Sequence, residues 1–214
     1  MRISSYFKSY GGEGEYQVWS GALIDVEPGV SGNSNRGDIT PRLYEPSKIM
    51  SGVKIRPNAI VYTGSLLGPD VYIADGAIVR EGCFIARGTI IGAGAIVENN
   101  VFIGGRTKIM TKAYLCAGTT IGSDCFVGPG AVFLNDKYLG HPSVPDEVRR
   151  KERDAPHLER GVHIGGNATI LPGVCLATGV IIGAGGVVTK DITEPGVYYN
   201  RGVPVVYNGA TFGA

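Results

Sequence analysis

The residues best suited to chemistry in this sequence lie in one stretch, from Asn135 to His157. Asn135 and Asp136 place an amide beside a carboxylate, and the polar residues that follow include His141. An imidazole is the side chain whose ordinary pKa best suits proton transfer near neutral pH. The stretch is therefore the predicted site of any chemistry that the chain performs.

This stretch interrupts a regular repeat of six residues. Every sixth residue is large and apolar from Leu43 to Phe133, and the register returns at Leu158 and continues to Val188. Four places after each of these residues the side chain is mostly small, as at Cys83, and Gly, Asp and Asn collect between the two. A helix repeats every 3.6 residues and a strand every two, so a period of six indicates a short flat strand followed by a corner. Three such units form one triangular coil, and stacked coils bury one another's faces.

The register fails at Lys137, which occupies a position that is otherwise small and inward-facing. Burying an unpaired ammonium is costly, so the chain is expected to leave the coil there and form an inserted loop over residues 139–157. We predict an all-β parallel β-helix of about seven triangular coils over residues 43–193. Residues 1–42 form an N-terminal cap and loop segment, and residues 194–214 form a C-terminal tail.

Composition excludes several classes of function. The 214 residues carry a formal net charge of +1, which argues against binding nucleic acid through phosphates. Apolar runs are shorter than the roughly 18 residues that a membrane span needs, and the first residues lack the apolar core of a secretory signal. A cytoplasmic protein without membrane contact is expected. The four cysteines are widely spaced without a Cys-x-x-Cys pair, which predicts free thiols and no metal cluster.

The residues around the break resemble the hexapeptide-repeat acyltransferases, and among these the nucleotide-sugar N-acetyltransferases. Three segments carry the resemblance: Ala131–Tyr138 (AVFLNDKY), Glu159–Val174 (ERGVHIGGNATILPGV) and Ile182–Ile192 (IGAGGVVTKDI). The resemblance implies a left-handed coil, acetyl-CoA as co-substrate, no required metal, and a homotrimer with sites between adjacent subunits. One departure is the segment Asn200–Pro204 (NRGVP), which replaces the family's usual closing motif.

The resemblance also implies roles for the residues of the break. The acceptor would be the amino group of a nucleotide-linked sugar, and a neutral, aligned amine needs mainly positioning to attack a thioester. Asn135 would orient the substrate, Asp136 would bind it and accept from its amine, and His141 would act as the base.

Acyl-CoA is expected to lie along the coil, across the strands. Gly165 and Gly183 stack one coil above the other, and their small size would leave a groove in which the pantetheine arm reaches backbone amides. The cofactor-binding residues are then Gly165, Gly166, Gly183, Ala184 and Lys190, with Lys190 meeting the phosphates. Arg201 is a further candidate for phosphate contact.

Other interpretations of the same residues stay open. The segment Gly140-His141-Pro142 resembles the small-sugar O-acetyltransferases, in which such a histidine is the base. The same coil serves as a scaffold for zinc carbonic anhydrases, which need three histidines, and this chain has only His141, His157 and His163. The run Arg149–Asp154 fits a solvated face or a contact with a nucleotide diphosphate. A non-catalytic scaffold protein is the remaining alternative.

Overall fold

The computed structural model of the chain describes residues 17–18, 21–26, 46–151, 153–199 and 205–206. Short strands separated by corners make up most of this part of the chain. In chain order the elements are β1 (Gln17–Val18), β2 (Leu23–Val26), β3 (Lys48–Ile49), β4 (Lys54–Ile55), β5 (Ile60–Tyr62), β6 (Leu66–Leu67), β7 (Tyr72–Ile73), β8 (Ile78–Val79), β9 (Phe84–Ile85), β10 (Ile90–Ile91), β11 (Ile96–Val97), β12 (Phe102–Ile103), β13 (Lys108–Ile109), β14 (Tyr114–Leu115), β15 (Thr120–Ile121), β16 (Phe126–Val127), β17 (Val132–Phe133), α1 (Asp146–Lys151), β18 (His157–Leu158), β19 (His163–Ile164), β20 (Thr169–Ile170), β21 (Cys175–Leu176), β22 (Val180–Ile182), β23 (Val187–Val188), β24 (Gly196–Tyr199) and β25 (Val205–Val206).

Every third strand stacks on the next, and the strands form three long sheets. Face A has the order β1-β4-β7-β10-β13-β16-β19-β22-β24-β25, face B the order β2-β5-β8-β11-β14-β17-β20-β23, and face C the order β21-β18-β15-β12-β9-β6-β3. All neighbours are parallel except β24 and β25. The predicted parallel β-helix is confirmed. It has about eight turns, because β1 and β2 continue the coil by pairing with β4 and β5.

The core is a single column of apolar side chains inside the coil. Every predicted large inward residue from Ile49 to Phe133 and from Leu158 to Val188 is buried, while Leu43 lies outside the described residues. The small inward residues Cys83 and Cys125 are buried as well. Since apolar burial contributes about 25 cal/mol per Å², this continuous column is the main source of stability.

The inserted loop leaves the coil after β17 and returns at β18, as the lost register predicts. Lys137 is exposed, so the chain avoids burying its ammonium. The Asp154 N–H donates to the Asn135 carbonyl oxygen at 3.1 Å, and the Gly173 N–H donates to the Asp154 carbonyl oxygen at 2.9 Å. These bonds attach the end of the insertion to the turns on either side of it. In the described part of the chain, no helix has the length and apolarity needed to cross a bilayer.

Candidate functional site

Asn135 and Asp136 both help to hold the insertion in place. The Asn135 side-chain amide donates from Nδ2 to the carbonyl oxygen of Ala117 at 2.9 Å. The Asp136 carboxylate accepts from the Tyr138 N–H at 2.9 Å and from the Gly140 N–H at 3.3 Å. Short polar side chains commonly stabilise turns in this way. Each carboxylate oxygen keeps a further lone pair, so Asp136 can still accept from a ligand.

His141 is exposed at the tip of the insertion. The Ser143 N–H donates to its Nδ1 at 3.3 Å, and the Ser143 hydroxyl lies 2.7 Å from the same atom. A backbone donor at Nδ1 places the proton of the neutral ring on Nε2. For Nε2 to accept a proton, the ring must take the other tautomer, with Nδ1–H donating to the Ser143 hydroxyl.

The predicted cofactor residues divide between two corners of the coil. Asn135, Pro172 and Lys190 occupy the same place in successive turns, where face B passes into face C, and we name this the exit corner. Strands in a sheet lie about 4.8 Å apart, which puts Lys190 about 10 Å along the axis from Asn135. Gly165 and Gly183 lie where face A passes into face B, and we name this the glycine corner.

The two glycines of the glycine corner are explained by the packing of the turns. A Cβ added to Gly165 would lie 2.6 Å from the carbonyl carbon of Gly183, and one added to Gly183 would lie 2.5 Å from the ring of Tyr199. Their N–H groups donate to the carbonyl oxygens of Ile182 and Tyr198 at 2.7 and 2.8 Å. The N–H groups of Gly165 and Gly183 are therefore engaged within the coil, and the role of the two glycines in binding acyl-CoA stays a prediction.

Other groups at these corners are better placed to meet a ligand. Ala184 is exposed, and Gly166 lies beside it in the preceding turn. Over the described stretch of chain, neither the Gly166 nor the Ala184 N–H has an acceptor. Lys190 is exposed on the exit corner. Arg201 lies outside the described residues.

The arginine-rich run forms part of a cavity that sequence reasoning did not find. The helix α1 has no buried residue, in keeping with a solvated face. Its basic side chains nevertheless turn back toward the start of the insertion and enclose a polar cavity of about 250 Å³. The cavity is lined by Asp136, Gly140, Asp146, Arg149, Arg150 and Arg153. The sequence predicts either a solvated face or a contact with a nucleotide diphosphate for this run, and only the fold of the insertion brings its arginines to Asp136.

The other histidines lie on different faces of the coil. His157 is exposed in β18 on face C, and His163 is exposed in β19 on face A, with its ring 6.1 Å from that of Phe126. Among the residues that the structure describes, no three His, Cys, Asp or Glu side chains are grouped so that they could hold a metal ion.

Two family models match the chain on either side of the insertion. The model described as bacterial transferase hexapeptide (six repeats) matches residues 100–135, and the one described as hexapeptide repeat of succinyl-transferase matches residues 158–190. The chain therefore carries hexapeptide repeats on both sides of the insertion. The first match ends at Asn135 and the second begins at Leu158, so the insertion is the part that the repeats do not account for.

The chain is similar to several acetyltransferases over parts of its length. A putative lipopolysaccharide biosynthesis O-acetyl transferase, WbbJ of Escherichia coli (strain K12), is 35% identical over 72 residues, which cover 34% of this chain and 36% of that protein. The chain thus spans only about a third of this relative. The polySia-specific acetyltransferase NeuO is 17% identical, with 95% of this chain and 90% of that chain covered and a TM-score of 0.47. PerB from Caulobacter crescentus, solved with CoA and GDP-perosamine, is 22% identical, with 69% and 54% covered and a TM-score of 0.37.

Proposed function

We propose that the chain is an acetyl-CoA-dependent acetyltransferase whose acceptor is the amino group of a nucleotide-linked amino sugar. The observation that carries the proposal is the insertion, which begins at Asn135–Asp136 and gathers polar and basic side chains on an otherwise saturated coil. The sequence resemblance to nucleotide-sugar N-acetyltransferases is concentrated on both sides of the same insertion.

The surroundings of His141 favour an amine as the acceptor. The described residues place no carboxylate against the imidazole, and its one hydrogen-bonding partner is Ser143. A sugar hydroxyl needs a strong, oriented base because it is a poor nucleophile until it loses its proton. A neutral amine can attack first and lose its proton afterwards, so positioning by Asn135 and Asp136 can supply much of the rate.

Acyl-CoA is proposed to bind along the glycine corner, with the Gly166 and Ala184 N–H groups as donors and Gly165 and Gly183 allowing the turns to stack closely. The exit corner, with the insertion and Lys190, is a separate edge of the same coil. A complete site therefore requires the glycine corner of one subunit beside the exit corner of another. This arrangement supports a homotrimer, and a monomer in light scattering at the assay concentration would contradict it.

The direct test is a screen of acceptors with acetyl-CoA, with release of free coenzyme A thiol as the signal. We expect release with nucleotide-linked amino sugars and none with the matched nucleotide sugars that carry a hydroxyl in place of the amine. A second titration measures the binding of coenzyme A itself. If coenzyme A does not bind, the proposed function is wrong.

A second candidate is transfer of acetyl to a sugar hydroxyl, with His141 as the base. Two observations favour it: the matched E. coli relative is named as an O-acetyl transferase, and His141 is exposed. Mass spectrometry of the product after mild alkali separates the two candidates, because an O-acetyl ester is hydrolysed under conditions that leave an amide intact.

A further inference from the structure

The cavity of the insertion holds more positive than negative charge. Three arginines face two aspartates, and one aspartate, Asp146, is already paired with the guanidinium of Arg149. Asp136, the second, accepts the backbone N–H groups of Tyr138 and Gly140. Among the described residues, neither Arg150 nor Arg153 forms an ion pair with a carboxylate. Two guanidinium groups are therefore available to an anion.

Arg149 forms the fixed wall of this cavity. Its side chain is only 18% exposed, and its Nε has no hydrogen-bonding partner in the described chain. Its guanidinium lies 3.4 Å from the point where a Cβ on Gly140 would be, so a larger residue there would narrow the cavity. A buried donor without an acceptor is costly, and a ligand oxygen would remove that cost.

Arg153 connects the cavity to the body of the coil. Burial raises the pKa of the Tyr114 hydroxyl, and the positive charge of Arg153 acts in the opposite direction. The same pattern holds at the Cys116 thiol. The next residue, Asp154, donates its N–H to the Asn135 carbonyl oxygen at 3.1 Å, which places Arg153 beside the corner where the insertion begins.

We infer that this cavity is a binding site for a phosphate or diphosphate group. Guanidinium groups match phosphate oxygens with paired hydrogen bonds, which is why arginine predominates at such sites. The volume of about 250 Å³ equals roughly eight water molecules, enough for a multi-atom anion. Because Asp136 borders the same cavity, a phosphate bound there would hold the group attached to it beside the proposed acceptor site.

The inference rests on the proposed function for the identity of the ligand, since both substrates contain phosphate. The diphosphate would come from the nucleotide-linked acceptor or from coenzyme A. Inorganic pyrophosphate probes the shared chemistry, uridine diphosphate represents the acceptor, and adenosine 3′,5′-bisphosphate represents coenzyme A. Glucuronate tests whether a carboxylate alone is sufficient.

The experiment is a calorimetric titration of the full chain with each probe. The variants are Arg150→Gln, Arg153→Gln and their combination, and Arg87→Gln is the control because Arg87 is an exposed arginine elsewhere on the coil. We expect each single variant to bind pyrophosphate about tenfold more weakly, and the control to bind as the wild type does. Displacement of pyrophosphate by uridine diphosphate assigns the site to the acceptor, and displacement by the bisphosphate assigns it to coenzyme A.

Two results would overturn the site: no binding of pyrophosphate by the wild type, or unchanged binding by the combined variant. Displacement by glucuronate but by neither nucleotide would also overturn it. Assays of acetyl transfer distinguish a failure of the phosphate site from a failure of the proposed function. If the combined variant keeps the wild-type KM both for a nucleotide amino sugar and for acetyl-CoA, the site is wrong and the function stands. If pyrophosphate binds but no nucleotide amino sugar is acetylated, the function is wrong and the site stands.

Discussion

The side-chain amide of Asn135 donates to the backbone carbonyl of Ala117, 2.9 Å away in the preceding turn of the coil. The bond joins the residue at which the insertion begins to the regular repeat. It also commits one of the two Nδ2–H donors to the fold, so a substrate contact by Asn135 uses its Oδ1 or the second Nδ2–H. The same residue therefore anchors the insertion and borders the proposed site.

Replacing Asn135 by alanine should lower both stability and activity. Loss of one hydrogen bond of this kind costs about 1 kcal/mol, which lowers the Tm of a chain of this size by about 2–4 °C. The check is thermal unfolding followed by circular dichroism, with Asn99→Ala as the matched control. Asn99 occupies the equivalent place two turns earlier, and its side chain makes no hydrogen bond in the described chain. Equal shifts for the two variants would mean that the Asn135 bond contributes nothing.

Substitution of Gly165 should lower the stability of the coil, and not only the affinity for acyl-CoA. Gly104 is a matched position far from the glycine corner, because a Cβ there would lie 2.5 Å from the carbonyl carbon of Gly122. Overpacking of this kind costs about 1–3 kcal/mol. We expect Gly165→Ala and Gly104→Ala to lower the urea midpoint of unfolding by similar amounts. A Gly165→Ala protein of unchanged stability and reduced affinity for coenzyme A would show that the glycine serves the ligand.

The sequence predicts the coil well because its signal is local and repeated. Ile85 faces inward for the same reason as every sixth residue around it. An atypical residue at one position therefore does not change the prediction, because the neighbouring repeats support it. The strand at Gln17 is not predicted because the first 28 residues do not follow the six-residue period. The space beside Gly165 depends on the adjacent turn, and the cavity depends on the path of the insertion. Neither the space beside Gly165 nor the cavity repeats along the sequence, so neither can be predicted from the six-residue period.

The buried thiols should make stability fall at high pH. Burial raises the pKa of Cys83 to about 12 and that of Cys116 to about 11, from an ordinary value of 9.0. Above pH 9 the unfolded chain loses these protons while the folded chain keeps them. Stability therefore declines as the pH rises toward 11, by up to about 1.4 kcal/mol per pH unit for each thiol. Urea midpoints measured from pH 7 to 11 test this.

Cys83→Ala should flatten that decline, because its buried thiol no longer titrates on unfolding. Cys175→Ala is the control, since the Cys175 thiol is exposed. For each variant, the midpoint at pH 10.5 is compared with its own midpoint at pH 7, so that the loss of buried volume in Cys83→Ala does not enter the comparison. A decline of the same steepness in the wild type and in Cys83→Ala would contradict the assignment to buried thiols.

His141→Gln should distinguish the two candidate acceptors. Glutamine keeps a polar side chain but cannot take up a proton, so the variant removes base catalysis with little change in the surface. A positioned base contributes about 10²–10⁴-fold to rate, and a hydroxyl acceptor would lose kcat/KM by that factor. With an amine acceptor we expect a loss of less than about tenfold, because the amine can attack before it is deprotonated.

Ser143→Ala is the companion variant, since Ser143 is the partner of His141 Nδ1. If His141 is the base, Ser143→Ala should also lower kcat without changing KM, because the ring loses its orienting partner. If both variants retain nearly full activity toward a nucleotide amino sugar, His141 is not the base for that acceptor, and Asn135 and Asp136 become the residues to test.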